Sequence, residues 1–201
     1  MMRAGRLVGL ILSLMLVALS ARTEETNDAA YVVTYVEVSV PAVKHAVEVL
    51  RQIAETSRRA PGVVSFDVLQ RTAPENELAI VEVWKTLQAR NDSSAGRLTA
   101  QLRAVLDRLS IAPLDQRLGT IVTASRHVPA TADVVYAISH IDILGPNPAG
   151  RDAFMPVLEA FIDASRKAPG NLVYDLAQQS SRTNHFEAVE VWNNQESAND
   201  H

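Results

Sequence analysis

Ile80-Val81-Glu82-Val83-Trp84 and Ala188-Val189-Glu190-Val191-Trp192 are one stretch written twice. They hold the only two tryptophans of the chain, at a spacing of 192 − 84 = 108. The same offset carries Ala60-Pro61-Gly62 onto Ala168-Pro169-Gly170, and Ser57-Arg58 onto Ser165-Arg166. It also carries Asp67 onto Asp175 and Gln70 onto Gln178. Motifs kept in one order at one spacing mark an internal duplication, and a duplication dictates the architecture before any single element is read.

Working outward, each copy begins with a strand and a helix. Tyr31 to Val40 is rich in β-branched and aromatic residues, as strands are. Pro41 ends it. Val43, Val47, Leu50, Ile53 and Ala54 then form one apolar stripe on a helix from Ala42 to Ala60, which Pro61-Gly62 stops. Val63 to Arg71 and Glu77 to Lys85 read as strands around a turn at Pro74-Glu75-Asn76. A helix from Ala95 to Leu109 and a strand from Leu114 to Ser125 complete a β-α-β-β-α-β unit, the ferredoxin-like pattern of the α+β class. The second copy runs from Asp133. It has a strand at Val134–Leu144, a helix at Arg151–Ala168, and strands at Leu172–Ser180 and His185–Asn193. Tyr35 aligns with His140 at an offset of 105, because the loop Gly145-Pro146-Asn147-Pro148 is longer than its counterpart. Nothing in the second copy matches the helix at Ala95 or the strand at Leu114.

Composition narrows the classes. A chain of 201 residues, 47% hydrophobic and 21% charged, can bury a core as one or two domains. Its net charge of −4 and lack of a basic run argue against nucleic acid as a partner. It has no cysteine, so disulfides, thiolate nucleophiles and cysteine metal sites are excluded. Arg3 and Arg6 precede an apolar run, Leu7 to Leu19, that is short for a membrane span. Small residues follow at Ser20 and Ala21. This reads as a secretory signal peptide over residues 1–21, predicting a secreted or periplasmic protein with no stable membrane insertion after cleavage.

Strand, helix, Pro-Gly, strand and Glu-x-Trp together resemble the antibiotic biosynthesis monooxygenase domain. The resemblance covers residues 31–125 fully and 133–201 in part. In that family a histidine commonly follows the tryptophan by about nine residues. Trp192 meets the pattern at His201; Trp84 meets Ser93 instead. The resemblance implies two ferredoxin-like units paired as a dimeric α/β-barrel, here as a pseudo-dimer within one chain. Some relatives oxidise quinols or polycyclic aromatics with molecular oxygen and no metal or flavin, so no cofactor is implied. Others degrade haem, and many have no established activity.

Alternation along the strands sorts the candidate residues by face. Taking Val81 and Val83 as the helix-packed side points Ile80, Glu82 and Trp84 into the space between two sheets, with Glu190 and Trp192 repeating this. Tyr35 and Glu37, and likewise His140 and Asp142, share that inner face. The expectation is a shared interior with His140, Glu82, Glu190 and His201 as catalytic candidates. Trp84, Trp192 and Tyr35 would then bind a quinol-like or other small aromatic ligand. A histidine or carboxylate there could take a phenolic proton. The alternatives are a non-catalytic small-ligand binder or a degenerate structural member, in which Glu-x-Trp only packs the sheet and a terminal His201 is disordered. No metal-ligand spacing occurs. Lacking a second helix and a fourth strand, the second copy should leave one side of its sheet bare and one edge unpaired, so the chain should self-associate or else be a truncated product of a longer reading frame.

Overall fold

The computed structural model of the chain describes residues 29–94, 97–125, 134–143 and 148–201. The segment read as a signal peptide lies outside them. In chain order the strands are β1 (Ala30–Glu37), β2 (Val63–Gln70), β3 (Glu77–Trp84), β4 (Asp115–Thr123), β5 (Val135–Asp142), β6 (Asn171–Gln179) and β7 (His185–Trp192). The helices are α1 (Val43–Ser57), α2 (Leu87–Ser94), α3 (Arg97–Leu109), α4 (Pro148–Ser165) and α5 (Gln195–Asp200). The expected helix from Ala95 is thus preceded by a second one, α2. Its sequence, LQARNDSS, carries no apolar stripe to announce it, and the Thr86 hydroxyl caps it by accepting from the Ala89 amide at 2.9 Å. Helix α4 starts before Arg151, with Pro156 in its interior.

The duplicated Ala-Pro-Gly has a geometric cause. Gly62 and Gly170 adopt φ of +85° and +86°, the left-handed region glycine favours after a helix. Each accepts a hydrogen bond from the residue after Trp: Lys85 N to Gly62 O at 2.8 Å, Asn193 N to Gly170 O at 2.9 Å. The helix exit is thereby tied to the end of the Glu-x-Trp strand in both copies.

All seven strands form one sheet, in the order β2-β3-β1-β4-β6-β7-β5. The two copies do not stack as separate sheets. Strand β4 joins them edge to edge, pairing antiparallel with β1 (Tyr31↔Gly119) and with β6 (Thr120↔Gln178). The sheet then curls on itself. One apolar cluster unites Tyr31, Val33, Val81 and Val83 of the first copy with Ala177 and Val189 of the second, flanked by Leu69, Ile121, Tyr136 and Ile138. Tyr35 Oη reaches across from β1 to donate to Glu187 Oε2 on β7 at 3.2 Å. The result is a barrel whose last wall is open, with β2 and β5 as its free edges.

Helices cover the outside. Val36, Val38, Leu78 and Ile80 pack under Ala46, Leu50 and Ala54 of α1 and Leu102 and Leu106 of α3. Tyr174, Leu176, Phe186 and Ala188 pack under Leu158 and Ile162 of α4. The register therefore reverses the expected facing of the Glu-x-Trp strands. Tyr35, Val33 and Tyr31 stand opposite Ala79, Val81 and Val83, and these face the interior. Thr34, Val32 and Ala30 stand opposite Ile80, Glu82 and Trp84, and these face the helices. The same holds in the second copy: Val189 is inside, and Ala188, Glu190 and Trp192 lie on the helix side.

The sheet of the second copy is not left bare as expected, since Tyr174, Leu176, Phe186 and Ala188 are buried; the exposed apolar surface lies on α4 instead. Phe154, Val157 and Phe161 of α4 are 38%, 64% and 52% exposed. Subtracting 108 places them on Ala46, Val49 and Ile53 of α1. Ala46 is buried, and Ile53 packs into the cluster that holds α3. Among the described residues, nothing covers α4 as α3 covers α1.

Candidate functional site

The candidate residues fall in three places. His140 and Tyr35 meet inside the barrel. Their rings lie 5.6 Å apart, and the Arg117 guanidinium sits 5.2 Å over the Tyr35 ring. Arg117 donates to Glu187 Oε1 at 2.8 Å and to Asp115 Oδ2 at 2.6 Å, and its Nη1 touches the His140 ring nitrogens. His140 Nδ1 is 2.9 Å from Glu187 Oε1. Burial and then the Arg117 charge hold His140 below the usual imidazole range, so it is neutral at pH 7. Burial pushes Glu187 up to about 7, against the pull of Arg117 and of the Tyr35 hydroxyl. Burial and then Glu187 raise Tyr35, so its phenol stays protonated. This knot ties β1, β4, β5 and β7 together.

Arg117 and Glu187 were not among the candidates. Glu187 occupies the repeat position of Ala79, and a charge in the middle of a buried strand was the available signal. The pairing His140↔Glu187 that gives it meaning depends on register. An open cleft of about 800 Å³ runs past this knot between β2 and β5, with Tyr35, Asp67, Tyr136 and His140 on its walls.

The second place is the helix side of the first copy. Trp84 Nε1 donates to Glu82 Oε2 at 2.9 Å, and both residues are buried. Burial raises the Glu82 carboxyl, with the Trp84 hydrogen bond and the Arg90 charge opposing it. Leu102, Arg103 and Leu106 of α3 close over Glu82, leaving a void of about 50 Å³. An organic ligand needs several times that volume.

The third place is its duplicate in the second copy, and it is built differently. Trp192 Nε1 donates to Glu190 Oε2 at 3.0 Å. Helix α5, capped by Asn194 Oδ1 accepting from Ser197 N at 2.8 Å, brings His201 back over the strand. The His201 ring lies 4.8 Å from Trp192 and 5.7 Å from Phe161, with its Nε2 4.0 Å from Glu190 Oε2. His201 thus lies against Trp192 and Phe161 at the end of α5. Phe161 in turn meets Tyr174 edge on at 6.3 Å. A histidine, a carboxylate behind it and three aromatic rings form a half-open shelf, because the flank of α4 carrying Phe161 is uncovered. Among the described residues no three His, Asp or Glu side chains converge to hold a metal ion.

Both Glu-x-Trp strands and both Pro-Gly helix exits fall where the profile of the antibiotic biosynthesis monooxygenase family matches, at residues 29–97 and 143–201. The chain belongs to that family, in two tandem copies. Solved structures agree on the fold. A protein provisionally named a monooxygenase from Fusobacterium nucleatum superimposes with a TM-score of 0.74 at 15% identity, over 87% of this chain and 80% of that one. A similarly named protein from Lactobacillus acidophilus gives 0.72 at 11% identity, over 86% and 80%. An anthrone oxidase-like protein gives 0.62 at 10% identity, over 87% and 77%. At such identities the likeness concerns the fold. No curated protein matches the chain.

Proposed function

We propose that the chain is an exported, cofactor-independent monooxygenase acting on a quinol or similar small aromatic at the Glu190–Trp192–His201 shelf. The observation that supports this best is the His201 ring tilted against Trp192 at 4.8 Å, with Glu190 Oε2 4.0 Å from its Nε2. A planar substrate can lie against the exposed Phe161 ring and the His201 ring, with Trp192 buried behind His201. His201 takes the phenolic proton, and Glu190 stabilises the resulting imidazolium. The electron-rich anion passes one electron to molecular oxygen, and the radical pair recombines as a peroxide on a ring carbon. Loss of water then leaves a carbonyl. The ring carbon goes from C–H to C=O; one oxygen atom enters the product, and the other leaves as water with the ring hydrogen and the phenolic proton returned by His201. Trp84 and Glu82, both buried, serve packing in this scheme, and His140 and Tyr35 serve the interior knot.

Oxygen uptake with a panel of quinols tests the reading. The intact chain should consume oxygen, and His201→Ala should lower the rate by about a hundredfold or more while leaving the fold unchanged by circular dichroism. His140→Ala should keep the rate of the shelf. Absence of uptake by folded protein across the panel would reject it. Export is tested separately, by an N-terminus at Ala21 or Arg22 in protein recovered from the producing cell.

A further inference from the structure

The cleft between β2 and β5 has a size and a lining that the shelf leaves unexplained. Its volume of about 800 Å³ falls among those of small-molecule sites. Its inner wall is apolar and only half-buried, at Leu69, Ala79, Tyr136 and Ile138, and the Tyr35 and His140 rings stand at one end. Ala79 leaves room there. Its repeat position carries Glu187, whose side chain reaches across the interior to Arg117 and Tyr35.

The rim of the cleft is cationic. Arg51 and Arg58 line it seven residues apart, so about two helical turns bring them to one side of α1. Arg51 is exposed and forms no salt bridge among the described residues. Arg58 Nη2 meets Asp67 Oδ1 at 3.2 Å, yet the Arg58 side chain stays 49% exposed. Asp67 is buried, with the Tyr136 hydroxyl of β5 as a second partner. The third arginine of the cleft, Arg71, is taken up by Glu77.

The repeat shows how much of Arg58 is unused. Its duplicate, Arg166, donates to Ser125 Oγ at 3.2 Å, Thr123 Oγ1 at 3.0 Å and the Tyr174 carbonyl at 2.7 Å, while Asp175 Oδ1 accepts from the Ser125 amide at 2.7 Å. Arg58 carries the same fork of five N–H donors and has Asp67 as its acceptor among the described residues. Arg51 stands where the second copy has Glu159. Two cations with donors to spare thus meet an aromatic wall at one cleft, in a chain of net charge −4.

We infer that the cleft between β2 and β5 binds a planar aromatic anion, a carboxylate or sulfonate on a body of two or more rings. The rings lie against Leu69, Tyr136 and Ile138, and Arg58 and Arg51 hold the acid group by charge-assisted hydrogen bonds. Strand β2 belongs to the first copy and β5 to the second, so the ligand bridges the copies at the open side of the barrel. The site is separate from the Glu190–Trp192–His201 shelf, and the inference does not depend on turnover there.

The test titrates the intact chain with anilinonaphthalene sulfonate and with its uncharged counterpart, phenylnaphthylamine. The sulfonate should bind saturably with a gain in fluorescence, about tenfold or more tighter than the uncharged dye. Hydrogen exchange should show new protection in Val63–Gln70 and Val135–Asp142. Arg51→Gln and Arg58→Gln should each weaken the sulfonate about fivefold or more, and Ala79→Phe, which fills the inner wall, should abolish its binding. Val157→Glu and His201→Ala should leave it unchanged. Arg51 is exposed, so its variant folds even where Ala79→Phe does not. Three results would overturn the inference. One is no saturable binding by folded protein. Another is equal affinity for the two dyes with both arginine variants unaffected, which means that no acid group is read. The third is loss of binding in Val157→Glu or His201→Ala, which puts the dye on α4 or the shelf.

Discussion

The two copies share the residues that fold each unit and differ in what packs on them afterwards. In the first, α3 lies on α1 and closes over Glu82, with Trp84 buried beside it. In the second, α4 keeps an exposed flank, and Trp192 keeps His201 as its neighbour. Inside the barrel the contrast is chemical: Tyr35 faces Ala79 in one copy, and His140 faces Glu187 in the other. Arg166 and Asp175 hold a strand end, while their duplicates Arg58 and Asp67 hold each other. A duplicated motif therefore fixes a local geometry, and its role depends on the third element laid against it.

The strongest way to break this comparison is at the tryptophans. Both are almost wholly buried on the helix side. Trp84→Ala and Trp192→Ala should each cost about 3–5 kcal/mol in denaturant unfolding. Equal losses would show that packing is the shared role and that only the surroundings of Trp192 differ. A loss below about 1 kcal/mol for either would contradict its place in a packed layer.

The next effect separates the two glycine turns. Both need a left-handed residue, which costs a side chain roughly 1 kcal/mol or more. A Cβ on Gly62 would also meet Ala89 Cβ at 2.5 Å, on helix α2. A Cβ on Gly170 would meet Ser197 Oγ at 2.4 Å and Asn193 Oδ1 at 2.6 Å, side-chain ends, together with Ser197 Cβ at 2.6 Å. Gly62→Ala should therefore cost about 2–3 kcal/mol and Gly170→Ala about 1–2 kcal/mol. Thermal unfolding in the reverse order would show that α2 yields more readily than α5.

The repeat, the element order and the Pro-Gly stops were legible because each rests on local sequence. The facing of Glu-x-Trp was not. Residues of β3 are buried on both faces, Val81 inside and Ile80 under the helices, so alternation carried no polar contrast to choose by. The register Tyr35↔Ala79 decides it, and register is a property of the pair. For the same reason Arg117 and Glu187 escaped notice, although Tyr35 and His140 were found. The edge-to-edge joint escaped because nothing in Asp115–Thr123 says that one strand pairs with both copies. The uncovered flank was legible, since it follows from a missing stretch of sequence.

A smaller effect probes the chemical contrast inside the barrel. Glu187 titrates near 7 in the folded chain, against 4.5 for a free carboxyl. A raised acid favours the folded state while protonated. Its contribution is full below about 4.5 and lost as pH rises through about 7. Stability should thus decline between pH 5 and 8, by roughly 1–2 kcal/mol once screening and the Arg117 pairing are allowed for. Glu187→Gln should flatten that decline. Asp175, raised to about 6 by burial, keeps its own share at lower pH in both proteins. An unchanged slope in the variant would mean that Arg117 keeps Glu187 ionised throughout.

The smallest expected effect is the sharpest test of the uncovered flank. Val157 and Val49 are repeat equivalents, and Val157 is 64% exposed. Removing an apolar group that already faces water gives up little burial, so Val157→Gln should change stability by no more than about 0.5 kcal/mol. Ile53→Gln, one turn along the matching flank of α1, puts an amide against the layer beneath α3 and should cost about 2 kcal/mol or more. The pair isolates the missing cover, because helix, strand and turn are otherwise alike in the two copies. A large loss at Val157 in the isolated chain would mean that something already lies on α4 in solution. Light scattering would then decide between a monomer with an additional covering segment and an associated form.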